Sequence, residues 1–234
     1  MPPRANAAPP PSNEPEFARN FSITVGSHVF HVYKDIAVTT SEVFAKVSRD
    51  HPSARRINFK LEDYDDGGDD TNPENFYTVD AMAHLIGYMY GNNLGCPTSD
   101  PDQHTGCLVA WCKVYNLASY FGMPSACESS LDQLRKCLYD RKYHPVIPTA
   151  KEVIAIYDLT EKDSEVREVL VSAMMKMWRL FRVMIDNPGG FSKDTLEDWR
   201  RSLVAVPEFE RSVRKKVGKE EIERLERKEL GSDE

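Results

Sequence analysis

Phe21, Ile23 and Val25 alternate with Ser22 and Thr24, an apolar period of two. That period predicts a strand with one face buried. Gly26-Ser27 is a natural hairpin turn, and a second strand is expected from Val29 to Tyr33. Asp35 to Val47 then predicts a helix, carried by Ile36, Val43, Phe44 and Val47 rather than by the weak helix formers Thr39 and Thr40. Ile57, Phe59 and Leu61 return to alternation and predict a third strand.

Past the strands the period changes. "EDYDDGGDDTNPEN" is too polar and acidic for a core element and reads as a loop. Phe76 to Tyr90 places Met82, Leu85, Ile86 and Met89 at helical spacing, and Gly91-Asn92-Asn93 ends that helix. A polar loop through Pro97 and Pro101 follows. Leu108 to Phe121 is a strongly apolar helix stopped by Gly122 and Pro124, and Ser125 to Leu138 is another with Leu131, Leu134 and Leu138 on one face.

After "HPVIP" only helical patterns remain. Thr149 and Glu152 fit a capping box. Val166, Val169, Leu170, Ala173, Met174, Met177, Phe181 and Met184 stripe a long helix. Phe191, Ser192 and Leu196 suit a hydrophobic staple around an N-cap, and Pro207 suits a first helical turn. Lys219 to Leu230 mixes both charge signs and reads as a solvated or fraying helix, with residues 231–234 a disordered end. Residues 1–16, rich in proline, alanine and asparagine, cannot bury enough apolar surface to offset ordering entropy and are expected to be a disordered tail.

Composition narrows the function classes. A formal charge of −7 argues mildly against whole-chain nucleic-acid binding, which needs clustered cations. Five scattered cysteines do not suggest a disulfide framework. No apolar run approaches membrane-spanning length and no hydrophobic signal core opens the chain, so cytosol or nucleus is the expected location.

Specific residues carry a family resemblance. Val25-Gly26, Phe30, Val32, Lys34, Ser41 and Phe44 fall in one register; "RINFKLED" follows as a strand; Leu85, Tyr88, Tyr90 and Gly91 end a helix; Tyr115, Leu117, Ala118, Tyr120 and Met123 end another. In this order and spacing, residues 17–139 resemble a BTB/POZ domain. Residues 140–230, through "IAIYDLT" and "VPEFERSV", resemble the helical extension of many filamentous-fungal BTB proteins. The resemblance implies an α+β fold, a BTB/POZ-like helical cluster with a small mixed sheet, followed by an all-α extension. It also implies a non-catalytic interaction module without cofactors, an adaptor or oligomerisation domain whose partners are proteins: a second copy in a homodimer, or a cullin scaffold of a ubiquitin ligase.

Departures bear on those partners. Asn20, Tyr33 and Ala37 stand where the family carries Asp, His and Leu, so of the family's charged pocket only Lys34 remains. The amino-terminal helix of strand-exchanged dimers would fall in the proline-rich tail. The hydrophobic-x-Glu element that docks cullins has no counterpart in "SRDHPSARR". The surface expected to bind a partner is the first helix, through Lys34, Glu42, Val43, Lys46 and Val47, with a core role competing for Val43 and Phe44.

Chemical sites find little support. Asp63, Asp65, Gly68, Asp69 and Glu74 match part of an EF-hand frame, but Gly67, Asp70 and Pro73 break it, which favours a solvated loop. His104, Cys107 and Cys112 lack a fourth zinc ligand, and the two cysteines read as core thiols. His28, His31 and His84 have no nucleophile in a recognisable elbow, and no glycine-rich phosphate loop follows a strand, so no catalytic constellation is expected. Arg214, Lys215 and Lys216 support an alternative, a nuclear or transcriptional regulator touching DNA or chromatin partners through its basic carboxy-terminal segment. The glutamates at 220, 221 and 223 offset that charge, and a solvated helix face is the plainer reading. Met174, Met175, Met177 and Trp178 read as helical core rather than a partner groove.

Overall fold

The computed structural model describes residues 20–52, 58–61, 73–92, 107–139, 147–185 and 193–218. They form two compact units, one within Met1–Asp63 and one within Tyr64–Glu234. Strands and helices together make the fold class α+β.

In the first unit, β1 (Asn20–Val25) and β2 (His28–Tyr33) pair antiparallel, and β1 pairs parallel with β3 (Asn58–Leu61), giving the order β2-β1-β3. Gly26 takes φ 55° at the two-residue turn, a backbone region open to glycine. The register sets Phe21 opposite Val32 and Ile23 between Phe30 and Phe59. The expected alternation therefore has a cause: Phe21, Ile23, Val25 and Val32 are buried and share a face, while Val29 and Tyr33 of the opposite face are exposed.

The single helix expected from Asp35 to Val47 is in fact two, α1 (Lys34–Thr40) and α2 (Glu42–Asp50). Ser41 separates them in extended backbone, φ −134° and ψ 127°. Its Oγ accepts the Phe44 backbone N–H at 3.2 Å and caps α2. Thr39 and Thr40 donate their hydroxyls back to carbonyls of Asp35, Ile36 and Ala37, the local competition that makes Ser and Thr poor in helix interiors. Apolar spacing had bridged a break that hydroxyl chemistry imposes.

The second unit is helical: α3 (Pro73–Met89), α4 (Cys107–Tyr120), α5 (Pro124–Tyr139), α6 (Ala150–Leu159), α7 (Glu165–Ile185), α8 (Lys193–Val204) and α9 (Pro207–Val217). Both expected glycine stops have the same geometry. Gly91 (φ 80°) and Gly122 (φ 60°) follow α3 and α4, and the residue after each returns its N–H to the carbonyl five residues back, Asn92 to Gly87 and Met123 to Ala118. Thr149 and Glu152 form the complete capping box of α6. One buried cluster joins Leu108, Trp111 and Val114 of α4, Leu131, Leu134 and Leu138 of α5, Val153 and Ile156 of α6, Leu170 and Met174 of α7, Trp199 of α8 and Phe209 of α9. Met174, Met177 and Trp178 belong to it as expected, whereas Met175, expected with them, is half-buried outside it. The tail, residues 62–72 of the acidic loop, Ile57, the staple residues Phe191 and Ser192, and Lys219 to Leu230 lie outside the described residues, while Pro73 to Asn75, expected in that loop, instead open α3, where proline suits a first turn.

Candidate interaction surface

Four of the five expected interaction residues come together on α2. Phe44 is fully buried and fixes the helix's inner face. Its ring stacks on Phe21 with centroids 5.1 Å apart and meets Phe59 edge-on at 4.7 Å. Such aromatic pairs add about 0.5–1.5 kcal/mol each beyond the area they bury. With that face anchored, helical spacing turns Glu42 and Lys46, four residues apart, to solvent, and leaves Val43 and Val47 half-buried beside them. Arg49 and Asp50 extend the charged stripe. The surface is thus an apolar shoulder of two valines edged by side chains of both signs. Lys34 stands apart, half-buried at the start of α1 and separated from α2 by the break at Ser41.

The three histidines weighed as catalytic candidates each have a local setting. His84 pairs its Nδ1 with the Asp80 carbonyl at 2.9 Å and sets its ring edge-on to Trp111. His28 lies 3.5 Å from the Ser27 hydroxyl. His31 Nδ1 lies 3.1 Å from Ser22 Oγ, a cross-strand pair produced by the β1–β2 register. Spacing alone does not reveal this serine–histidine pair, because the partners are nine residues apart on two strands. Among the described residues no carboxylate orients His31 from its other side, as activation of a serine requires.

Cys107 and Cys112 are both buried on α4, His104 lies outside the described residues, and among the described residues no three metal-binding side chains converge. The calcium frame falls on residues outside those described, apart from Pro73 and Glu74, which open α3. Burial pushes the Cys112 thiol up to about 12 against the opposing charges of Lys113 and Arg167, which makes it an inert thiol.

On α9 the basic run is partly neutralised. Arg214 Nε donates to Glu210 Oε1 at 2.7 Å, Phe209 and Val213 are buried, and Lys215 and Lys216 are exposed.

A polar cluster that the sequence reading missed centres on Arg167. Its side chain is 12% exposed. The guanidinium donates to the Tyr157 carbonyl at 2.7 Å, to Thr160 Oγ1 at 2.9 Å, to the Thr160 carbonyl, and to Glu208 Oε2 at 3.2 Å. It also lies 4.3 Å above the Tyr157 ring. Arg167 therefore closes the carbonyl end of α6 and ties it to the first turn of α9. The hint in the sequence was an arginine inside the apolar stripe of α7, one residue after Val166.

No protein-family model, no curated protein and no solved structure matches the chain. No helix among the described residues is long and apolar enough to cross a membrane.

Proposed function

We propose that the protein is a non-catalytic docking module of the BTB/POZ type, an adaptor that presents the outer face of α2 to a protein partner. The observation that supports this is the division of α2 into a buried anchor, Phe44, and an outward face of Glu42, Lys46 and Arg49 with Val43 and Val47 beside them. Half-buried valines rimmed by charge suit a small interface in which apolar area supplies affinity and charge supplies orientation. A cullin or a second copy is the partner class the family resemblance favours.

The test uses the full chain as bait. Val43→Glu and Lys46→Glu are expected to cut recovery of a specific partner about tenfold or more, with circular dichroism and melting midpoint unchanged for Lys46→Glu. Unaltered recovery with both folded variants removes this face from consideration. The alternative reading, nucleic-acid contact through α9, rests on exposed Lys215 and Lys216. Salt-dependent binding of duplex DNA, abolished by Lys215→Glu and Lys216→Glu, would favour it.

A further inference from the structure

The Sγ atoms of Cys107 and Cys137 lie 3.5 Å apart, although thirty residues separate them in the chain. Cys107 occupies the first turn of α4 and is buried; Cys137 occupies the last turn of α5 and is half-buried. The two helices are joined by the tight Gly122 turn and pack side by side, so the start of one lies beside the end of the other. Both cysteines are reduced. A disulfide needs sulfurs about 2.05 Å apart, so bonding asks for roughly 1.5 Å of approach, within reach of side-chain rotation and a small helix adjustment.

Among the described residues the two other thiols make no such sulfur–sulfur contact. Cys112 is buried and held protonated by its surroundings, and Cys127 directs its thiol to the Tyr115 carbonyl at 3.8 Å. Cys107 and Cys137 are the thiols shown in sulfur–sulfur contact among the described residues.

We propose that Cys107 and Cys137 form a reversible redox site, closing to an intramolecular disulfide when a low-molecular-weight disulfide such as glutathione disulfide is in excess. The half-buried Cys137 reacts first. Its thiolate attacks one glutathione sulfur, the S–S bond of glutathione disulfide breaks, and one glutathione thiolate leaves. The Cys107 thiolate then attacks the Cys137 sulfur of the mixed disulfide and expels the second glutathione. The two protein thiols are oxidised, glutathione disulfide is reduced to two glutathione thiols, and the two protons lost by the protein are carried by them. The bond staples the first turn of α4 to the last turn of α5.

The experiment treats the full chain with glutathione disulfide, quenches free thiols by alkylation and reads intact mass and digested peptides. The wild-type chain is expected to lose two hydrogens, to yield a linked peptide pair containing Cys107 and Cys137, and to regain both thiols with dithiothreitol. Cys137→Ser is expected to abolish the link. Cys107→Ala is expected to trap Cys137 as the stable glutathione adduct, and Cys127→Ser to leave the link intact. A wild-type chain that stays unmodified, carries only glutathione adducts, or links Cys137 to another cysteine as readily as to Cys107 overturns the proposal. Should Cys107→Ala fail to fold, the wild-type peptide map and Cys137→Ser still decide it, because position 137 is only half-buried.

Discussion

Ser41 shows how much one hydroxyl settles. It is buried at 3% exposure, ends α1 by its extended backbone, and starts α2 by accepting the Phe44 N–H. Ser41→Ala removes the cap while leaving that N–H in a site shielded from water. A cost of about 1–2 kcal/mol follows from cap loss with a stranded donor. Urea unfolding monitored by circular dichroism is expected to show a lower midpoint with an unchanged slope. Ser41→Asp, which can accept the same bond but carries charge into a buried position, is expected to recover little. An alanine variant as stable as the parent would mean that α2 is held by Phe44 alone. Ser41 lies between Thr40 and Glu42 with nothing in the apolar pattern to mark it, and its role as a helix break was not legible. The apolar positions on either side, Ile36 and Val43, continue one another at near-helical spacing, and periodicity is blind to a hydroxyl that redirects the backbone.

At the scale of elements, legibility follows the range of the forces involved. Local devices were readable: the Gly26 turn, the glycine stops after α3 and α4, the Thr149–Glu152 capping box and Pro207 opening α9 all depend on residues within a few positions. The face of α5, and that of α7 from Val166 to Met177, were readable as well, because burial repeats with the helix. Long-range polar contacts were not. Arg167 joins α6, α7 and α9 through partners 7, 10 and 41 residues away, a geometry no spacing rule encodes. Its removal gives a direct test of how the three helices are held. Arg167→Ala leaves two carbonyls at the end of α6 and the half-exposed Glu208 without their donor, and a loss of about 1–3 kcal/mol is expected for hydrogen-bonding groups left unsatisfied in a partly buried site. Arg167→Lys keeps the charge but cannot fork to both carbonyls and Glu208, and is expected to fall between the two. Equal stability of the lysine variant and the parent, in guanidinium unfolding, would show that charge alone suffices. Of the candidate surface only helical character around Val43 and Val47 was legible: the start of α2 at Glu42 was hidden inside one expected helix, and which of its residues face inward waited on Phe44 finding Phe21 and Phe59.

For the whole molecule, the consequence of burying these groups is a defined weakness toward alkali. Burial pushes Cys112 up from its ordinary 9.0 to about 12, with Lys113 and Arg167 opposing. Burial likewise pushes Tyr157 up from 10.0 to about 12, Arg167 opposing and Glu208 reinforcing. Tyr115 and Cys127 are raised too, each chiefly by burial. In every case the folded chain holds a proton that the unfolded chain releases more easily. Below about pH 8 both states are protonated and these groups leave stability independent of pH. Between the unfolded and folded values the native state binds more protons than the unfolded one, so unfolding free energy falls as pH rises. The expected profile is flat from neutrality to about pH 8 and declines steadily toward pH 12, measured as urea midpoints in a reducing buffer. Cys112→Ala separates the thiol's share from that of the tyrosines. It is expected to lower stability by a constant amount at neutral pH, through the small cavity it leaves, and to make the decline above pH 9 shallower. Curves for parent and variant that run parallel up to pH 12 would show that Cys112 ionises as freely in the folded chain as in the unfolded one, and that the core around α4 admits water.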